Sequence, residues 1–241
     1  MKKLNKSIRQ AIILAAGRGS RLMPYTKNTP KPLMLIQGEF LLERQLKQMK
    51  KAGIESVTIH TSYLGEKIHK NIGNGDRFGL DINYAHSEQL LGAGGGIIFA
   101  KNFLKYQDED FLLLNGDVYT DYDFSKIIKI KNKDFDSVFK LVLIENPAHN
   151  PKGDFCFNLD SKIIGPKNLE NLLKSDNKYL TYSGIAVISP QVFIQNDINN
   201  ITSFLVLIEP YLNDNLIIGD YHQGIWHDIG SPERLEMLIK L

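Results

Sequence analysis

The sequence predicts an α/β fold, a mostly parallel sheet flanked by helices, and three features predict it. Residues Ala11 to Ala15 form a short aliphatic run that breaks into Ala16, Gly17, Arg18 and Gly19, the profile of a buried parallel strand entering a bare loop. Leu41, Leu42, Gln45, Leu46 and Met49 recur at helical spacing until Gly53, and Ser56 to His60 resumes a strand pattern, which makes a βαβ unit. A second strongly apolar run, Asp110 to Leu114, ends in Asn115, Gly116 and Asp117, the kind of strand end where an open α/β sheet places its chemistry.

The remaining elements follow in order. Pro32 to Ile36 with Gly38 reads as a brief extended segment and a turn ahead of the first helix, and a short helix near Gly65 to Asn71 leads to a strand near Leu80 to His86. The glycine run Gly92 to Gly96 precedes a helical stretch reaching Lys101. In the second half Ser137 to Ile144 and Tyr179 to Ile188 read as strands, and Asp154 to Ile164 as a hairpin turning near Asp160 and Ser161. Ser203 to Leu212 reads as a helix, Leu216 to Tyr221 and Gly224 to Asp228 as short strands. Pro232 opens a last helix carrying Leu235, Leu238 and Ile239 on one face.

Composition narrows the function classes. A chain of 241 residues with 43% hydrophobic and 23% charged residues suits one globular domain over residues 1–241. The formal charge of +2 calls for neither nucleic acid nor a membrane surface as partner. Cys156 is the only cysteine, so no internal disulfide forms and no thiolate cluster is available for zinc, which makes a cytoplasmic location the default. The start Met-Lys-Lys-Leu-Asn-Lys is basic like a secretory leader, but the apolar stretch after it is too short and is stopped by Arg18. No stretch is long enough to span a bilayer. The six histidines show no metal-ligand spacing, and no Ser/His/Asp arrangement stands out.

The chemistry concentrates in residues 10–36. Where the first strand ends, Ala16, Gly17 and Gly19 remove side chains so that backbone N–H groups can approach a ligand, and Arg18, Arg21, Lys27 and Lys31 add fixed positive charge. The expected guest is a polyphosphate. A dinucleotide fingerprint needs a third glycine where Leu22 stands and an acid about twenty residues on, and the Gly-Lys-Ser/Thr of a P-loop is missing. Between prolines 30 and 32, Lys31 has a fixed direction, whereas Lys27 lies in a looser polar segment.

The pattern Leu-Ala-Ala-Gly-x-Gly-x-Arg-Leu-x-Pro-x-Thr, followed by Pro30-Lys31-Pro32-Leu33, resembles the signature of the sugar-1-phosphate nucleotidyltransferases. Asn115-Gly116-Asp117 and Trp226 to Leu235 resemble that family's two later motifs, so the resemblance runs through nearly the whole chain. It implies a Rossmann-like nucleotidyltransferase domain with a mainly nucleotide-binding half, 1–117, and a mainly sugar-binding half, 118–241. The substrates implied are a nucleoside triphosphate and a sugar 1-phosphate. No hexapeptide repeats follow, so the C-terminal β-helix of some relatives, and its acyltransferase activity, are not expected.

Carried over residue by residue, the resemblance gives Mg²⁺ to Asp117 and Asp228, although Asp228 on its own reads equally well as a cap for the last helix. Arg21 resembles the arginine that neutralises the departing pyrophosphate, and Lys31 the lysine at the reacting phosphates. Nucleotide contacts fall on Leu14, Ala15, Ala16, Gly17, Gly19 and Arg21, with Gln89 and Gly94 from the glycine-rich stretch, whose glycines also suit close helix-to-sheet packing. On the sugar side the common Glu-Lys-Pro is replaced by Ile164-Gly165-Pro166-Lys167-Asn168, which leaves Lys167 a weak stand-in. There Glu145 to Phe155, with Tyr182 to Ile185, resembles the branch that joins UTP to N-acetylmuramate 1-phosphate in cell-wall recycling. That likeness assigns the sugar to His149, Gly153, Asp154, Ser183 and Gly184. Guanylyl transfer to mannose 1-phosphate, cytidylyl transfer to phosphocholine, and a regulatory module that binds a nucleotide sugar without turnover are the alternatives.

Overall fold

The computed structural model describes residues 8–130, 136–167, 176–195 and 202–240. Asn168, the last residue of the replaced Glu-Lys-Pro segment, lies outside them. A nine-stranded mixed sheet runs through the described residues. Its parallel part is β4 (Ser56–Thr61) between β1 (Gln10–Leu14) and β5 (Asp81–His86), with β6 (Phe111–Asn115) on the other side of β1. The long β11 (Asn177–Ile188) pairs antiparallel with β6, and with β8 (Phe139–Ile144) and β9 (Phe155–Asn158). The short β10 (Ile164–Gly165) pairs with β9, completing the hairpin expected there, and β12 (Ile217–His222) runs parallel to β8. Parallel pairing thus dominates the first half and antiparallel pairing the second.

Helix α1 (Leu41–Lys51) buries Leu41, Leu42, Gln45, Leu46 and Met49, the stripe its spacing predicts. Each fully buried leucine on it stabilises the fold by roughly 1.5–3 kcal/mol. Leu42, Leu46 and Met49 join Ile13, Val57, Ile59, Leu112 and Leu114 in the core on one face of the sheet, while Leu41 packs into a separate cluster. The other face is covered by α3 (Gly92–Lys101) and α6 (Phe204–Ile208), with Ile97, Leu207 and Ile208 over Ile12, Leu113 and Leu141. α2 (Gly65–Ile72), α4 (Phe124–Lys129) and α5 (Val192–Gln195) complete the helices before the last one, α7 (Pro232–Ile239).

Three local differences from the sequence reading bear on the site. Lys31–Leu33 forms a 3₁₀ turn, and only Leu35–Ile36 (β2) is extended, paired with Glu39–Phe40 (β3). Gly92 to Gly96 lies inside α3 instead of ahead of it. Val118–Thr120 forms a three-residue strand, β7, paired antiparallel with β13 (Trp226–Asp228). A third core cluster ties these pieces together: Leu22 from the loop, Met34 and Ile36, Tyr119 from β7, Ile229 after β13, and Leu235 and Leu238 from α7. Residues from both ends of the chain are thereby fixed against one another.

Candidate active site

A cavity of about 350 Å³ opens at the carboxyl ends of β1 and β6, within the size range of small-molecule sites. Leu14 to Arg18 line one wall, Leu90 to Ala93 another, and Asn115 to Asp117 with Lys31 and Pro32 close the end. At Gly17 an added Cβ would meet nothing within 4 Å, so its backbone faces open space. Gly19 differs, having φ of 66° and a virtual Cβ 2.7 Å from Thr26 Cγ2, while Thr26 Oγ1 donates to its carbonyl at 2.8 Å. Gly17 serves approach and Gly19 serves the turn.

Of the expected nucleotide residues, Leu14, Ala15, Ala16 and Gly17 line this cavity, and Gly19 is outside the lining, packed against the side chains of Lys31 and Thr26. From α3 the lining residues are Gly92 and Ala93, with Gly94 buried behind them. The glycine run also packs closely: a Cβ at Gly92 would collide with the Thr202 carbonyl, and one at Gly96 would sit 2.7 Å from His60 Nδ1. Gln89 is exposed just before the wall, and its carbonyl accepts from Ser87 Oγ at 2.9 Å. Arg21 is exposed and outside the lining, whereas Arg18, quoted for its charge alone, is within it and stands over the Tyr63 ring at 5.5 Å.

His60, one of the six histidines without metal-ligand spacing, forms part of the same wall. Its Nε2 and Ser87 Oγ are 3.0 Å apart, and because the Ser87 hydroxyl donates to Gln89, His60 donates from Nε2 and is neutral. Burial, with a smaller push from His86, lowers its pKa from 6.5 to about 4. The unfolded chain therefore binds a proton that the folded chain refuses between pH 6.5 and about 4. The resulting stability is fully present above pH 6.5, is lost as pH falls toward 4, and amounts to about 3 kcal/mol. Urea unfolding of His60→Gln should show a shallower loss of stability across this window than the parent; parallel curves for the two proteins would contradict it.

The two aspartates meet through backbone pairing. Asp228 stands opposite Val118 in the β7–β13 ladder, and Ile229 N–H donates to the Asp117 carbonyl at 2.9 Å. Gln45, only 1% exposed, donates from Nε2 to the carbonyls of Asn115 (3.2 Å) and Val118 (2.8 Å), which straddle Asp117. It positions the turn, a role its place in an apolar stripe gave no sign of. Asp117 Oδ2 lies 3.1 Å from Lys31 Nζ, whose side chain is 13% exposed. Asp228 pairs with Arg234 by a short contact to Oδ1, and His149 Nε2 is 3.7 Å from the same oxygen. The helix-cap alternative for Asp228 does not hold, because Ser231 Oγ accepts from Arg234 N–H and caps α7.

On the second-half side the segment from Glu145 to Asp154 is pinned to β11. Asp154 Oδ2 accepts from Tyr182 N–H and its Oδ1 from Asn150 Nδ2, both at 2.9 Å, and Thr181 Oγ1 donates to Asn146 Oδ1 at 2.9 Å. Gly153 is left-handed at φ 64°, and Lys167 Nζ donates to its carbonyl at 3.1 Å. Both Asp154 oxygens and Gly153 thus hold the loop, and His149 is left half-exposed at its tip. Ser183 is buried, its Oγ donating to the Val142 carbonyl and its own carbonyl accepting from Trp226 Nε1, both at 2.8 Å. Gly184, with φ of 82°, rests on Asn115 in a register shift of β11, so Asn115 belongs to both halves of the site.

Such a site handles phosphate by position and charge: bare backbone at a strand end, lysine and arginine in the wall, and two carboxylates brought together by the β7–β13 ladder, Asp117 in the turn before β7 and Asp228 on β13. Phosphate-transferring enzymes of α/β fold are built in this way. The chain belongs to the nucleotidyl transferase family, matching it over residues 10–155. It is 34% identical over 229 residues to N-acetylmuramate alpha-1-phosphate uridylyltransferase of Neisseria meningitidis serogroup B, an alignment covering 94% of this chain and 95% of that one. It is 25% identical to the catalytic subunit beta of mannose-1-phosphate guanylyltransferase from Drosophila pseudoobscura pseudoobscura, over 93% of this chain but 60% of that one. The solved structure of HddC from Yersinia pseudotuberculosis complexed with GMP-PN shares the fold, with a TM-score of 0.74 and 20% identity over 97% of this chain and 99% of that one. The protein is a nucleotidyltransferase of the kind that acts on sugar 1-phosphates. Among the described residues no helix is long and apolar enough to cross a membrane.

Proposed function

We propose that the protein transfers the uridylyl group of UTP to N-acetylmuramate 1-phosphate, giving UDP-N-acetylmuramate and pyrophosphate, as one cytoplasmic step of peptidoglycan recycling. The observation that carries the sugar assignment is the end-to-end likeness to the Neisseria enzyme, which spans both halves of the site. On this reading residues 1–117 mainly hold the nucleotide and 118–241 mainly the sugar, within one domain.

The donor set fits a divalent ion. Among the described residues no group of three His, Cys, Asp or Glu side chains is placed to hold a metal ion, but the carboxylates of Asp117, just before β7, and Asp228, on its partner strand β13, suit magnesium, which keeps its remaining positions for water and phosphate oxygens. Asp117 and Asp228 would hold it, and when bound it supplies neutralisation of the charge shared between the reacting phosphates. The sugar phosphate is largely dianionic near neutrality, its second pKa being about 6, so its oxygen needs no general base. That oxygen bonds to the α-phosphorus while the α–β bridging bond breaks in line, its electron pair leaving with pyrophosphate. Lys31 neutralises charge at the reacting end, Arg21 and Arg18 hold the departing phosphates, and Leu14 to Gly17 with Gln89 and Gly94 frame the base.

A pyrophosphate-release screen crossing the four common nucleoside triphosphates with a panel of sugar 1-phosphates tests the reading. UTP with N-acetylmuramate 1-phosphate should give the highest kcat/KM. A preference for GTP with mannose 1-phosphate would overturn the substrate assignment, and a chain that binds nucleotide sugars without turning any pair over would be the regulatory module.

A further inference from the structure

We propose that Arg234 is the residue that selects a sugar phosphate carrying a carboxylate, and that Asp228 holds it in place until that substrate arrives; this rests on the substrate reading above. Arg234 leaves the first turn of α7 and lies against two groups of different origin. Its Nη1 donates to Asp228 Oδ1 and lies 3.1 and 3.2 Å from the two ring nitrogens of His149. Gly230 leaves the guanidinium its room, since a Cβ there would collide with Nη2 and crowd Asp228 Oδ2. The side chain is 22% exposed, so the guanidinium is fixed yet open to a ligand.

The charges decide what this arrangement can take. In the free protein Asp228 is compensated by Arg234, with His149 beside it. If the same carboxylate serves a divalent cation, the guanidinium is left next to like charge and needs another anion. None of Arg234, His149 and Asp228 lines the nucleotide cavity, where Lys31 and Arg18 supply the positive charge. The anion best matched to a planar guanidinium fork is a carboxylate. N-Acetylmuramate carries one on its lactyl ether, and the otherwise identical N-acetylglucosamine does not. His149 stands on a loop that Asn146, Asn150 and Asp154 fix to β11, so it can close the other side of such a group. Exposed Lys152 on the same loop adds positive charge.

The other anion Arg234 could meet is the 1-phosphate itself, and the two sugars separate these cases because both carry it. The test measures kcat/KM with UTP and either N-acetylmuramate 1-phosphate or N-acetylglucosamine 1-phosphate, for the parent, Arg234→Gln and Arg234→Lys. Mn²⁺ binding to the substrate-free proteins is followed by electron paramagnetic resonance. Arg234→Gln should lose roughly ten- to a hundredfold more with the muramate substrate than with the glucosamine one, with the lysine variant between. Mn²⁺ should bind the Gln variant more tightly, because Asp228 has lost its competing cation. Equal losses for both sugars, with weaker Mn²⁺ binding, would overturn the proposal and make Arg234 a support for Asp228 alone. A parent that fails to prefer the muramate substrate would remove the substrate reading itself. A parent that prefers it, with a Gln variant that keeps the same ratio, would remove only the role of Arg234.

Discussion

Asp117→Asn and Asp228→Asn should each lower turnover by about a hundredfold or more, with the fold retained. Each change removes one of the two charges available to a divalent ion at the end of the β7–β13 ladder, while the isosteric amide keeps the backbone pairing that joins them. The freed cations differ in what they do next. Without the Asp117 carboxylate, Lys31 loses its 3.1 Å partner and stands uncompensated at the cavity end, whereas loss of the Asp228 charge releases Arg234 and leaves the cavity wall unchanged. Raising the magnesium concentration should recover part of the activity in either variant. A variant that keeps parental activity at limiting magnesium would show its carboxylate to be a structural ion-pair member alone.

Lys31→Ala should have the second largest effect, about a hundredfold on the chemical step with KM for the triphosphate little changed. Lys31 is directed by its flanking prolines, begins a 3₁₀ turn, and lines the cavity beside Asp117. Arg21→Ala should instead raise KM for the triphosphate and slow pyrophosphate release if, as proposed, its charge acts on the departing group. Arg18→Ala is the informative control, since Arg18 lies in the lining and Arg21 does not. Rapid-quench measurement of the first turnover separates the two behaviours. A similar modest KM rise for Lys31→Ala and Arg21→Ala, with an unaltered first turnover, would make both of them solvated loop charges.

The parallel half of the fold was legible because its signals are local. The aliphatic run of β1, the helical stripe of α1 and the abrupt loop between them each lie within a dozen or so residues, where periodicity suffices. The strand β7 was not legible: three residues after Asp117 carry no periodicity, and they pair only because β13 arrives from the far end of the chain. The glycine run misled in position for a related reason. Glycine signals a loop by its low helix propensity, yet Gly92 and Gly96 are selected by the Thr202 carbonyl and the His60 ring, which leave no room for a Cβ on α3. At the site, the pattern pointed to Leu14 to Gly17, which line the cavity, and to Arg18 for its charge alone, while His60, Gln45 and Asn115 were given no individual role. Gln45 sat within an apolar stripe and His60 within a strand, so each looked like a core residue. Ser183 and Asp154 show the converse, polar residues in a suggestive segment whose hydrogen bonds go to Val142, Tyr182 and Asn150.

The proposed reaction is a single in-line displacement at the α-phosphorus, in which the protein positions and neutralises but never bonds to the nucleotide. Turnover of UTP made chiral at that phosphorus by one sulfur substitution, with the configuration of the nucleotide-sugar product read by ³¹P NMR, tests it most directly. One displacement predicts inversion; retention would mean two displacements through a covalent nucleotidyl-protein and would contradict the account.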